Sequence, residues 1–298
     1  MQQIQWQDRF NIGVEVIDLA HRRLFSIVQK MMELYIEKHE NQFVCIEGIK
    51  YFKAYAVKHF AEEEAYMREI GYPGYLAHKK LHDKMKWETL PALEESLYAS
   101  DFSTEEVQRF IGVCTGWLTG HIMIEDRAIA NKTAGEFEPV NLNNELSVIR
   151  GVILYPLREM FGCDLQFLGP FSVKDTIVNA QYYELTYVGQ KGQKVRFILV
   201  IGERLLLCAT SLLFGIDFYA RNEIVRFAIQ EIVQNLIQRA AVLFGEEPTT
   251  YQLEEERFLK KEEFDRMFEE NPPLYSLLFC VDRDCFALCV DQIPKADH

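Results

Sequence analysis

The chain has 298 residues, which at roughly 100–200 residues per domain points to two domains. Its 32 basic and 45 acidic side chains leave a net charge of −13, which excludes a general nucleic-acid binder, since such proteins need a basic surface to displace phosphate counterions. An apolar content of 49% with 26% charged residues excludes disordered and fibrous architectures.

Met1–Phe10 lacks a basic segment followed by an apolar one, so no secretory signal is expected and the expected location is the cytoplasm. Helical periodicity follows. Residues 16–37 carry Leu19, Leu24, Phe25, Ile27, Val28, Met31 and Leu34 at helical spacing. A second helix is predicted over 43–70, broken by Tyr72-Pro73-Gly74, and a third over 76–97. Asp101-Phe-Ser-Thr104, followed by Glu105 and Glu106, reads as an N-terminal cap for a fourth helix reaching about 131. Four long helices with short loops predict an all-α antiparallel four-helix bundle over 1–132.

Residues 133–144, with Gly135, Pro139 and three asparagines, read as a linker. Beyond it, 145–298 reads as an α+β domain. A helix is expected over 146–161 and strands over 176–188 and 195–201, turned by Lys191-Gly-Gln193. Helices are expected over 203–214 and 221–244, and a charged helix over 253–270. A second hairpin is expected from Tyr275–Val281 and Cys285–Val290. The longest apolar run, 205–216, is interrupted by Thr210, Ser211 and Gly215, and falls short of the about 20 residues a membrane span needs. The cysteines at 45, 114, 163, 208, 280, 285 and 289 are odd in number and show no CxxC spacing, so reduced thiols are expected. Cys285 and Cys289 would share one strand face as packing residues.

Of seven histidines, His39 and His298 read as surface residues. The other five fall on the predicted bundle helices. His78 and His82 are four apart and share a helix face, as do His59 and Glu63, while His21 and His121 lie on the first and fourth helices. Imidazoles with carboxylates converging in a bundle interior suit iron, zinc or copper, and bridging carboxylates favour two ions. Spacing alone leaves choices open. Glu62 and Glu63 both lie near the face of His59, and Glu125, four from His121, fits an ideal helix better than Asp126.

Trp6-x3-Phe10-x2-Gly13-x3-Ile17-Asp18-x2-His21, His59-Phe60-x2-Glu63-Glu64-x2-Met67, His78-x3-His82 and Trp117-x3-His121-Ile122-x3-Asp126 resemble the bacterial hemerythrin signature. Ala20 departs from it, standing where relatives carry Gln or Glu. The resemblance implies a non-haem di-iron centre with an oxo or hydroxo bridge. His78, His82 and His121 would hold one iron, His21 and His59 the other, and Glu63 and Asp126 would bridge them. It implies dioxygen as the ligand, at the iron with a free position. Choosing Asp126 over Glu125 requires side-chain reach or a local π-bulge. Trp6, Phe10, Phe60, Met67 and Trp117 would pack as core or wall the oxygen site. A ferritin-like oxidase is disfavoured, because no glutamate stands three residues before any of these histidines.

Over 145–298 the chain weakly resembles the CheC/CheX chemotaxis phosphatases, through Arg196–Ile201, Leu205–Gly215 and the run from Ala228. There Glu231 with Gln234 or Asn235 would stand for the family's Glu-x-x-Asn pair. Gln234 occupies the Asn position, Asn235 falls one residue late and the family's downstream proline is missing, so a degenerate site is expected. The expected function is an oxygen or redox sensor coupled to a CheX-like domain. Its partner would be a protein of a chemotaxis or two-component pathway, with a homodimer through the C-terminal domain as a further expectation. The alternatives are oxygen storage or delivery, and an oxygen-regulated phosphatase of a phosphorylated response regulator.

Overall fold

A computed structural model of the chain describes residues 6–37, 42–130, 157–158, 165–189, 192–214, 223–240, 252–281 and 284–293. The expected linker, most of the 146–161 helix, Gly215, His39 and His298 lie outside them. Two compact units emerge, one of residues 1–137 with 210–233, the other of 138–209 with 234–298.

The first unit holds helices α1 (Glu15–Glu37), α2 (Gln42–Glu69), α3 (Tyr75–Lys84), α4 (Leu90–Ala99), α5 (Thr104–His121) and a last turn α6 (Arg127–Ile129). A π-helical turn, Met85–Thr89, joins α3 to α4, and another, Ile122–Asp126, joins α5 to α6, so four rods result as expected. The apolar stripe of α1 buries Ile17, Leu24, Phe25, Ile27 and Val28, but Leu19 faces outward. Asp18 fixes the approach to α1 by accepting from the backbone N–H groups of Ile12 and Gly13 at 2.7 and 3.0 Å. α2 is closed two residues past its end by Gly71, whose φ of 65° lets Tyr72 N–H reach back to the Met67 carbonyl at 2.9 Å. Ser103 caps α5, accepting from Glu106 N–H. On α5, Gly112 and Gly116 face residues 224–228, where a Cβ on either would overlap a backbone carbonyl, that of Ile224 or Ala228.

The second unit is built on a six-stranded antiparallel sheet in the order β1-β5-β6-β3-β2-β4. Its strands are β1 (Gln166–Pro170), β2 (Ala180–Val188), β3 (Lys194–Gly202), β4 (Gln252–Leu259), β5 (Tyr275–Val281) and β6 (Asp284–Ile293). Helix α9 (Lys261–Glu270) belongs to this unit, whereas α7 (Glu203–Phe214) and α8 (Glu223–Ala240) are each divided, with 210–214 and 223–233 falling in the first unit. The two expected hairpins form, β2–β3 and β5–β6. One sheet face packs Ile198, Val200, Ala287 and Cys289 under Phe264 of α9, with Phe171 and Leu259. The alternate residues Phe197, Phe286, Leu288 and Val290 point the other way and are buried too.

Two expectations are corrected. Residues 253–259, read as the first half of a charged helix, are the edge strand β4, paired with β2. The Glu254-Glu255-Glu256 run favours a helix, but intrinsic propensity is worth only tenths of a kcal/mol per residue and yields to the tertiary partners on the sheet. Tyr183 hydroxyl donates to Glu256 at 2.8 Å, and Arg257 pairs with the buried Glu184 at 2.6 Å. The thiols are not all reduced. Cys280 and Cys285 form a disulfide, because the β5–β6 register sets them directly opposite with their Cα atoms 4.0 Å apart. Cys289 stays a free, buried thiol, its pKa pushed up to about 12 by burial.

Candidate metal centre

Seven side chains meet in the bundle interior: His21 of α1, His59 and Glu63 of α2, His78 and His82 of α3, His121 at the end of α5, and Asp126 at the end of its π turn. None is more than 5% exposed. Helical spacing explains most of this, since residues four apart stack on one face. Asp126, five from His121, comes inward because the π turn winds more residues per turn. Its neighbour Glu125 is only partly buried, while Glu62 is exposed and paired with Lys58 at 3.7 Å. Of the two pairs that spacing left open, it is Glu63 and Asp126 that reach the imidazoles.

The nitrogens form two sets. His78, His82 and His121 group with Glu63, and His21 and His59 group with the same Glu63, the potential ligand atoms of each set lying within 4.8 Å of one another. Glu63 Oε2 is 3.4 Å from His59 Nε2 and 3.4 Å from His82 Nε2. Asp126 Oδ2 lies 3.1 Å from His21 Nε2, while its Oδ1 lies 3.1 Å from His121 Nε2 and 3.4 Å from His78 Nε2. Each carboxylate therefore spans both imidazole sets.

Electrostatics follow from burial. His59 is held well below the ordinary imidazole pKa by desolvation and by the neighbouring His21. Burial and then Asp126 push Glu63 well up. For Asp126 burial acts in the same upward sense, but the His121 and His21 imidazoles outweigh it and hold the carboxyl well below its usual range. Both oxygens of Glu63, both of Asp126 and both nitrogens of His21 are buried without a hydrogen-bond partner. Buried polar atoms left in this way are costly unless something else satisfies them. A cation shared by neutral imidazoles and carboxylates does so, and the donor set fits one.

Aromatic rings brace the imidazoles. Phe60 stacks on His82 with centroids 4.2 Å apart, and Trp117 on His121 at 4.3 Å. Phe10 is buried against Trp6 and Phe25, and Met67 is also buried. Glu64, which the sequence pointed to only as part of a motif, turns to the outer nitrogen of His82, and no spacing rule marks that contact. On α8, Glu231 and Asn235 are partly buried, and Gln234 donates its amide to Glu256 at 2.9 Å. Tyr183 donates to the same Glu256 oxygen, so the Gln234 amide is already engaged within the second unit.

A four-rod bundle with a buried, carboxylate-spanned histidine cluster defines the class of cation-binding helical bundles. The hemerythrin HHE cation binding domain model matches residues 12–132. Bacteriohemerythrin of Clostridium acetobutylicum is 35% identical over 129 residues, spanning 41% of this chain and 95% of that one. Bacteriohemerythrin of Stenotrophomonas maltophilia is 32% identical over 128 residues, 43% of this chain and 79% of that one. Bacteriohemerythrin of Methylococcus capsulatus is 26% identical over 119 residues, 40% of this chain and 86% of that one. The chain belongs to the hemerythrin family, through its N-terminal bundle. The solved structure of chemotaxis protein CheX from Vibrio vulnificus covers 51% of this chain and is itself covered to 95%, at 13% identity and with a TM-score of 0.36. Among the described residues no helix is long and apolar enough to cross a membrane.

Proposed function

We propose that the bundle holds a non-haem iron pair and binds dioxygen reversibly, and that the chain serves as an oxygen or redox sensor. His78, His82 and His121 would hold one iron and His21 with His59 the other, with Glu63 and Asp126 bridging. The observation that carries this reading is the position of the two carboxylates, each between the two imidazole sets and each with both oxygens otherwise unsatisfied. The iron pair, when bound, supplies the electrons with which dioxygen is held. The protein's own part is to present mostly neutral nitrogen donors, to span them with two anionic bridges and to keep bulk water from the site with Phe60 and Trp117 stacked against the ligands.

Iron content and the optical spectrum of anaerobically reduced protein, before and after admission of oxygen, test the binding. The expected result is two irons per chain and a charge-transfer band that appears with oxygen and vanishes when oxygen is removed. Protein without bound iron, or with irreversible oxidation on first exposure, overturns oxygen carriage.

The sensor role is supported by the second folded unit, which has its own sheet and core. A bundle alone suffices to bind oxygen, so an attached α+β domain is read as the output or interaction module. Sensing requires that ligand binding favour one of two states of the chain. Hydrogen exchange is therefore expected to differ across residues 165–293 between reduced, oxygenated and oxidised protein. Identical exchange in all three forms rules out the coupling.

A further inference from the structure

Glu64 follows Glu63 on α2 but projects about 100° further round the helix, toward the outer side of α3. Its side chain is 9% exposed. Glu64 Oε1 lies 3.2 Å from His82 Nδ1 and 3.7 Å from Lys86 Nζ. The opposite ring nitrogen, His82 Nε2, faces the cluster, 3.2 Å from His78 Nε2, 3.0 Å from His121 Nε2 and 3.4 Å from Glu63 Oε2. One imidazole thus joins the cluster on its inner edge and a carboxylate on its outer edge. Phe60, stacked on the ring, limits tilting but cannot decide which nitrogen carries the proton. A carboxylate can, because it only accepts: the proton must sit on Nδ1, which leaves the Nε2 lone pair directed inward.

Lys86 is placed by the π turn that follows α3, one residue into it, and is itself only 13% exposed. It reaches Asp83 at 3.0 Å as well as Glu64, giving the buried carboxylate a cationic neighbour. His21 offers a contrast. Its Nδ1 is buried with no hydrogen-bond partner, so that imidazole lacks the support Glu64 gives His82.

We propose that Glu64 is a positioning residue for the metal centre. By accepting the His82 Nδ1 proton it fixes that ligand's tautomer and orientation, and it makes the His78–His82–His121 half hold its ion more tightly than the His21–His59 half. The proposal rests on the metal-binding reading above and adds an order of affinity between its two halves. Carboxylates behind ligating imidazoles typically change metal affinity by about 10–100-fold.

The test uses full-length protein with zinc(II) as the diamagnetic probe, titrated against a chelator, together with 15N spectra of labelled histidine. In the unaltered chain the His82 Nδ1–H is expected to be protected from solvent exchange when the tighter site is filled. Glu64→Ala is expected to weaken that site about 10–100-fold and to leave the Nδ1–H exchanging rapidly. Glu64→Gln, whose amide oxygen still accepts, is expected to keep the tautomer and to bind with intermediate affinity. It also serves if the alanine variant folds poorly. Glu62→Ala, at the exposed neighbour paired with Lys58, is expected to change neither reading. Unchanged zinc affinity with an unchanged His82 proton signal in Glu64→Ala overturns the positioning role alone. Failure of the unaltered chain to bind zinc removes the metal-binding reading and the positioning role together.

Discussion

Asp126→Ala is expected to lower retention of the metal pair by more than about 100-fold, beyond what loss of a supporting outer contact costs. Glu125→Ala is expected to leave retention within about twofold of the unaltered chain, since Glu125 is only partly buried and takes no part in either group of potential ligands. Metal content after gel filtration against a weak chelator distinguishes them. The reverse order, with Glu125→Ala empty and Asp126→Ala loaded, would show that the last turn winds as an ordinary α-helix. Metal removal carries a stability consequence of its own. A ligand present at about 100 times its dissociation constant adds about 2.7 kcal/mol to the folded state, so the stripped protein is expected to melt lower. Stripping also exposes a pH dependence. The folded, metal-free chain holds His59 well below the ordinary imidazole value. Below a pH of about 6.5 the unfolded chain therefore takes up a proton that the folded chain refuses. His59's contribution to stability is present above that value and declines as the pH falls through the window down to its own lowered pKa. Thermal melting of stripped His59→Gln against stripped unaltered protein, from about pH 8 to about pH 5, isolates this slope. A slope that survives the substitution intact would place its origin elsewhere.

Phe264→Ala is expected to destabilise the second unit by about 3–5 kcal/mol, the usual cost of emptying a large buried aromatic site. Phe264 is 1% exposed and packs on Phe171, Tyr182 and Phe268, with ring centroids 6.2, 4.8 and 5.6 Å away. Because α9 closes one face of the sheet through this ring, amide exchange in β3 and β6 is expected to accelerate strongly. Metal uptake by the bundle is expected to stay within about twofold. A loss under about 1 kcal/mol would mean that the sheet face is covered by something other than α9, and a parallel loss of metal would mean that the two units do not fold separately.

The bundle was legible because its signals are local. Periodicity in α1, the Tyr72-Pro73-Gly74 break and the Ser103 cap each depend on residues within a turn or two of one another. The placing of His59 with Glu63, and of His78 with His82, needs only 3.6 residues per turn. Asp126 follows from the family motif and not from spacing, because a π turn changes the local period and leaves no residue signature of its own. The second unit was harder for the opposite reason. Its hairpins were found from turn residues and β-branched runs, but β4 has a helix-like, glutamate-rich sequence whose strand conformation depends on Tyr183, Glu184 and Lys194 arriving from β2 and β3. The Cys280–Cys285 pairing likewise depends on hairpin register, which spacing along the chain does not give.

By itself, the sequence determined the class of the first unit, the five histidines and the two carboxylates that lie among them, since helix geometry and a dense motif tie those residues to one interior. Only the tertiary structure decided that Glu64 backs His82 from the next helix, that Gln234 is occupied by Glu256, and that an acidic run lies as a sheet edge. Each of these is a contact between segments far apart in the chain, and its energy comes from partners that no local window contains.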